Sequence, residues 1–128
     1  MPASVSRLES DDAFTSLDRR DLPDLAIGAC RLAIDASGLE DQVALAALRE
    51  VEEGSHAAEA AAAMRDLADH LDQKAWEAQD PDKYLVLFRR ARAASALAFA
   101  HSGEPDEAVY EAAHAVGEPE DLVQRLHD

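Results

Sequence analysis

Residues 80–103 read DPDKYLVLFRRARAASALAFAHSG, and this stretch decides the fold. Asp80 is placed to cap a helix, and Pro81 suits the first helical position, where its missing N–H would have had no partner. Tyr84, Leu87, Phe88, Ala91, Ser95, Ala98 and Phe99 recur at spacings of three and four, the signature of one helical face. Gly103 supplies the left-handed residue that ends a helix. The spacing therefore predicts a long helix from Pro81 to about His101.

The same punctuation recurs on both sides. Gly103-Glu-Pro-Asp-Glu-Ala-Val109 returns fourteen residues later as Gly117-Glu-Pro-Glu-Asp-Leu-Val123. Each copy is a glycine stop, a proline start and acids in the first turn, where the helix dipole favours negative charge. Short helices near 105–116 and 119–127 follow. Upstream, Asp21-Leu-Pro-Asp24 reads as a helix start, with Asp21 as the capping acid and an early proline; that helix is expected to run to about Ser37 and stop at Gly38. Its residues Leu25, Ile27, Cys30, Leu32 and Ile34 leave only a narrow polar stripe, so it is expected at the centre of the molecule. A helix over about 40–53, with Val43, Ala44, Ala47, Leu48 and Val51 on one face, stops at Gly54. Ser55 is expected to cap the next helix, to about Gln79, with a stripe of Ala57, Ala60, Ala61, Met64, Leu67, Ala68, Leu71 and Ala75. Ser10 is expected to cap a first helix through Arg20, with Phe14 and Leu17 facing in.

Composition agrees. The chain has 128 residues, 28 of them alanine, and valine, isoleucine and threonine are scarce. Alanine has the best helix propensity and lets helix axes approach closely. The expected fold is all-α, a compact bundle of six to seven short-to-medium helices joined by short Gly/Pro turns. Residues 1–9 are expected to form a flexible arm, and residues 10–128 a single helical domain, the usual size for one core. A single cysteine excludes an internal disulfide. No run is long and apolar enough for a membrane span, and residues 1–12 do not read as a signal peptide. The expected setting is cytoplasmic.

The net charge is −15. That argues against a nucleic-acid binder, whose surface needs concentrated positive charge, and against an anionic membrane surface. Residues 83–103 are the exception: they carry Lys83, Arg89, Arg90 and Arg92 and no acid. Arg89 and Arg90 of this basic island flank the core stripe and are expected to pair with acids of neighbouring helices; a docking site for an anionic ligand or acidic partner is the other reading. The acids elsewhere suit either plain solubility or steering toward a basic protein partner.

No catalytic motif is present, so the chain does not read as an enzyme: there is no nucleophile elbow, zinc-protease motif or phosphate loop. His56, Glu59, Asp66 and His70 follow one stripe of a helix, and Glu111-Ala-Ala-His114 has the spacing of a di-iron half-motif. Two such motifs and further glutamates would be needed, so no metal or cofactor is assigned. Cys30 sits on an apolar helix face and is expected to be inert. Trp76 lies off the centre of its stripe. It is either tucked under the following loop or partly exposed as an interface anchor.

Two resemblances rest on particular residues. Arg92 to Val116 resembles a single tetratricopeptide-type helix hairpin, through Ala96, Phe99, Gly103, Ala108, Ala115 and Val116 and the turn run Gly103–Val109. The runs Ala91-Arg-Ala-Ala-Ser-Ala-Leu-Ala-Phe-Ala100 and Tyr110-Glu-Ala-Ala-His-Ala115 are similar to those of small Ala-rich helical immunity proteins of bacterial toxin systems. The second resemblance implies a protein that binds and blocks a toxin.

The expected function is thus an acidic protein-interaction module for a basic protein, with an immunity protein as its sharpest form. Glu50, Glu53, Glu59, Asp66, Asp69 and Trp76 are the expected contact residues. The alternatives are a small-ligand- or metal-binding bundle and a self-associating scaffold. As a state in solution, the sequence is compatible with a monomer or a homodimer.

Overall fold

The computed structural model describes Leu8 and residues 12–127. Among these residues the chain forms six α-helices and no strand. They are α1 (Leu22–Ser37), α2 (Gln42–Glu52), α3 (Ala58–Glu77), α4 (Pro81–His101), α5 (Pro105–Val116) and α6 (Pro119–His127). Two 3₁₀ turns, Asp12–Phe14 and Arg19–Asp21, precede α1.

The predicted boundaries hold where a side chain or a proline sets them. Asp41 and Asp80 each accept a hydrogen bond from the backbone N–H two residues on, at 2.9 Å, and so cap α2 and α4. Gly38 closes α1 with φ 71° and donates to Ile34 C=O at 3.1 Å. A β-carbon there would force the strained left-handed region.

Three expectations fail at helix starts. The helix proposed for residues 10–20 is absent over its described part: Phe14 is buried and Leu17 packs on the core, but the backbone makes 3₁₀ turns. Thr15 Oγ1 donates to Asp12 C=O, and Asp18 accepts from Arg20 N–H. These short polar side chains satisfy the backbone locally, in competition with a helix. Ser10, its proposed cap, lies outside the described residues. Asp21 makes no capping bond, because its αR backbone runs the 3₁₀ turn straight into α1. Ser55 does not cap α3, which starts three residues later, after Ala57. The proposed arm at residues 1–9 also lies outside the described residues, apart from Leu8, which is buried in the core.

A neighbouring helix supplies the cap that Ser55 does not. His101, the last residue of α4, is 3% exposed. Its Nδ1 accepts from Ala57 N–H at 3.1 Å, and its Nε2–H donates to Ala47 C=O at 2.8 Å. One imidazole thus joins the start of α3 to α2. His56, expected on the α3 stripe, instead precedes the helix and donates from Nδ1 to Ala100 C=O at 3.0 Å.

The core is built from alanine. From Ala91 onward α4 buries Ala91, Ala93, Ala94, Ala96, Leu97, Ala98 and Ala100. That half of α4 shares the centre with α1, which buries Ala26, Ala29, Cys30, Ala33 and Ile34. Residues this small on facing helices let α1, α3 and α5 all close on α4, and each large side chain that does enter the core is held on every side. Met64, Leu97 and Leu122 are the largest of these. Burial pushes the Cys30 thiol up to about 12, which keeps it protonated and unreactive.

The His101 node generates a test. His101→Ala leaves a buried N–H and a buried C=O without partners, and is expected to cost about 2–4 kcal/mol. Urea denaturation should show this as a lower midpoint, with far-UV circular dichroism still helical before the transition.

Candidate docking site

Three surfaces meet on the hairpin of α3 and α4: an acidic outer face, an ion-pair cluster beneath it and an apolar tip. The outer face of α3 carries Glu59, Asp66 and Asp69, all exposed. The 3.6-residue repeat sets them along one side of the helix, with Trp76 at the far end, roughly 25 Å from Glu59. None of these three acids makes an ion pair among the described residues. Glu53 is exposed on the turn that leads into α3, whereas Glu50 is half-buried on α2. The structure therefore brings Glu59, Asp66, Asp69 and Trp76 onto one strip, and leaves Glu50 and Glu53 on another element beyond its Glu59 end.

Beneath the strip lies a cluster that the sequence did not single out. Arg92 on α4 reaches both ways. Its Nη2 donates to Asp72 Oδ2 of α3 at 2.5 Å, and its Nη1 donates to both carboxylate oxygens of Glu111 on α5, at 3.2 and 3.1 Å. Ser95 Oγ donates to Glu111 Oε1 at 3.2 Å. The guanidinium also lies 5.5 Å from the Phe88 ring centroid, within cation–π range. Glu111 is only 5% exposed. The cluster walls a cavity of about 350 Å³ between α3, α4 and α5.

Asp72 shows the electrostatic cost of this crowding. Its carboxyl is held above the usual carboxylate range, first because burial disfavours the charge and then because Asp69 and Glu111 repel it. Arg92 opposes the shift, but it is shared with Glu111 and does not reverse it.

The other two arginines of the basic island lie at helix ends, not on acids as expected. Within the island, and among the described residues, only Arg92 makes an ion pair with acids. Arg90 donates from Nε to Ser37 C=O at 3.2 Å, at the end of α1. Arg89 places Nη2 beside Gly117, at the end of α5. Cations there face the negative end of a helix dipole. Lys83 stays exposed at the start of α4.

Glu111 and His114 point to different neighbours and do not share a ligand. His114 donates from Nδ1 to Tyr110 C=O and packs on the Tyr110 ring, with centroids 4.7 Å apart. Among the described residues, no group of three or more histidines, cysteines and carboxylates is placed to hold a metal ion. No helix of the described residues is long and apolar enough to cross a membrane.

The tip is where the structure resolves the alternatives left open for Trp76. It is 83% exposed, and Tyr84, Leu85 and Val86 on the facing stretch of α4 are 42–44% exposed. Tyr84 was expected on the inward stripe of its helix and is instead exposed; nothing in the sequence shows that the first half of α4 lacks neighbours on most sides. No family model matches the chain, and no curated protein or solved structure matches it.

The cluster generates two tests. Arg92→Met leaves Glu111 buried without its cation and is expected to cost about 3–5 kcal/mol, while the double change Arg92→Met with Glu111→Leu should recover most of that loss. Denaturation of the single and double variants measures both. Because the Asp72 carboxyl lies above its unfolded value in the fold, its stabilising share is present below the ordinary carboxylate range and is lost as pH rises through the raised value. Asp72→Asn removes that titration, so its stability relative to the parent should be higher at neutral than at acid pH.

Proposed function

We propose that this protein is a non-enzymatic, acidic interaction module that docks a basic protein along the outer face of α3. The observation that supports this reading is the unpaired state of Glu59, Asp66 and Asp69. They stand exposed, with no ion pair among the described residues, on one side of a helix whose inner side is held by Arg92, while Arg31 and Arg90 are committed elsewhere. Carboxylates on a rigid helix with no internal partner raise the local concentration of a positively charged protein and speed its association. Glu53 and Glu50 extend the negative field past the start of α3, and Trp76 offers an apolar anchor at its other end.

In its sharpest form the partner is a basic toxin, blocked as the resemblance to bacterial immunity proteins implies, and the setting is the cytoplasm. The acidic field then serves speed, since an inhibitor must reach its toxin before the toxin reaches its target.

Capture from native lysate at low salt, followed by elution with salt, should return one basic protein at near-equal stoichiometry. With that protein purified, the variant carrying Glu59→Lys, Asp66→Lys and Asp69→Lys should slow association by at least ~10-fold. The parent's association rate should itself fall steeply with ionic strength. A rate insensitive to both the reversal and the salt overturns the reading.

A further inference from the structure

The first half of α4 has an unusual pattern. Tyr84, Leu85, Val86, Leu87 and Phe88 are five consecutive apolar residues, and successive residues of a helix are 100° apart. Five in a row cover the whole circumference. A helix apolar all round needs neighbours on more than one side. Here α3 shields one side, leaving Leu87 and Phe88 half-buried, and Tyr84 stacks on Phe88 with ring centroids 6.0 Å apart. No residue from 81 to 90 is fully buried. Yet the second half of the same helix is the most buried stretch of the molecule.

We infer that a second copy of this chain covers the tip of the α3–α4 hairpin, so that two hairpins meet across a two-fold axis as a four-helix arrangement. Two observations select a second copy over another partner.

The first is area. Trp76, Tyr84, Leu85 and Val86 together present roughly 400–500 Å² of surface, as much as the largest patch of a typical monomer. That is more than half of the ~800 Å² each partner gives to a standard interface.

The second is charge. The chain as a whole is strongly acidic. The tip is nearly balanced: Lys74 and Lys83 sit among Glu77, Asp80 and Asp82 around the apolar centre, and neither lysine makes an ion pair among the described residues. A two-fold interface brings the same patch to both sides, so it requires both signs within one patch. A basic partner would meet the lysines here, and an acidic one the three acids.

Tip-to-tip contact also holds the two acidic bodies apart.

This interface shares Trp76 with the end of the acidic strip but none of the strip's carboxylates, so the two readings are tested by different substitutions. Sedimentation equilibrium of the full chain should show a dimer that dissociates on dilution. Trp76 is the sole tryptophan, so its emission should shift to the red over the same concentration range. Leu85→Glu and Trp76→Glu change exposed residues and should leave the circular dichroism intact. Each should raise the dimer dissociation constant at least ~30-fold, the effect of a lost hot spot. The dimer should persist at high salt, where docking of a basic protein fails. A monomer at the highest soluble concentration with unchanged Trp76 emission overturns the inference, and so does a dimer that survives both substitutions. The variant reversed at Glu59, Asp66 and Asp69 should dimerise like the parent, so failure of one reading leaves the other readable.

Discussion

Arg92 is shared between two carboxylates on two different helices, and the placement of α3, α4 and α5 depends on that sharing. A guanidinium offers a planar fork of donors, so it can hold Asp72 on one side and Glu111 on the other without turning. The alanines around it fix little by themselves, since small apolar residues slide past one another at little cost. The ion pairs supply register where the apolar core does not. Burying Glu111, with Arg92 and Asp72 half-buried beside it, carries a desolvation cost that their attraction only partly offsets. What the cluster contributes is therefore position more than stability: the outer face of α3 is held in a set orientation because its inner face is tied to Arg92.

A second constraint works at the opposite end of the core. His101 joins α2, α3 and α4 with one ring, using an acceptor for an amide and a donor for a carbonyl. Arg90 acts in a similar way at the end of α1, and Arg89 lies beside the end of α5. The polar residues of α4 thus serve as connectors from one helix to the termini of others. An Ala-rich bundle needs such links, because its side chains are too short to interlock as leucines do.

Much of this was legible in the sequence. Asp80, Pro81 and Gly38 mark helix ends through local chemistry, and local chemistry survives in any tertiary setting. The helix starts that failed were those set by context. Ser55 had the right side chain, but His101 from a distant helix took the role. The acidic strip was legible because Glu59, Asp66 and Asp69 follow helical spacing. The Arg92 cluster was not: Asp72, Arg92 and Glu111 are 20 and 19 residues apart, and no periodicity connects them. The one available sign was Glu111 itself, a lone acid among Ala108, Ala112, Ala113 and Ala115. It sat where the pattern demanded an apolar residue, and such a residue asks for a buried cation. The exposure of Trp76 depended on how far the hairpin extends past its neighbours, which is a property of the assembled helices.

The division of α4 into an exposed first half and a buried second half also has a consequence for motion. Opening free energies within a protein follow local burial. Along this one helix they must climb from the Asp80 end toward His101. Amide hydrogens near Tyr84 and Leu85 will exchange through fraying that leaves the core intact, while those near Leu97 will wait for global unfolding. The hairpin tip can therefore reshape itself against whatever it meets, at a cost far below that of unfolding, while the buried half of the same helix keeps the rest of the molecule unchanged.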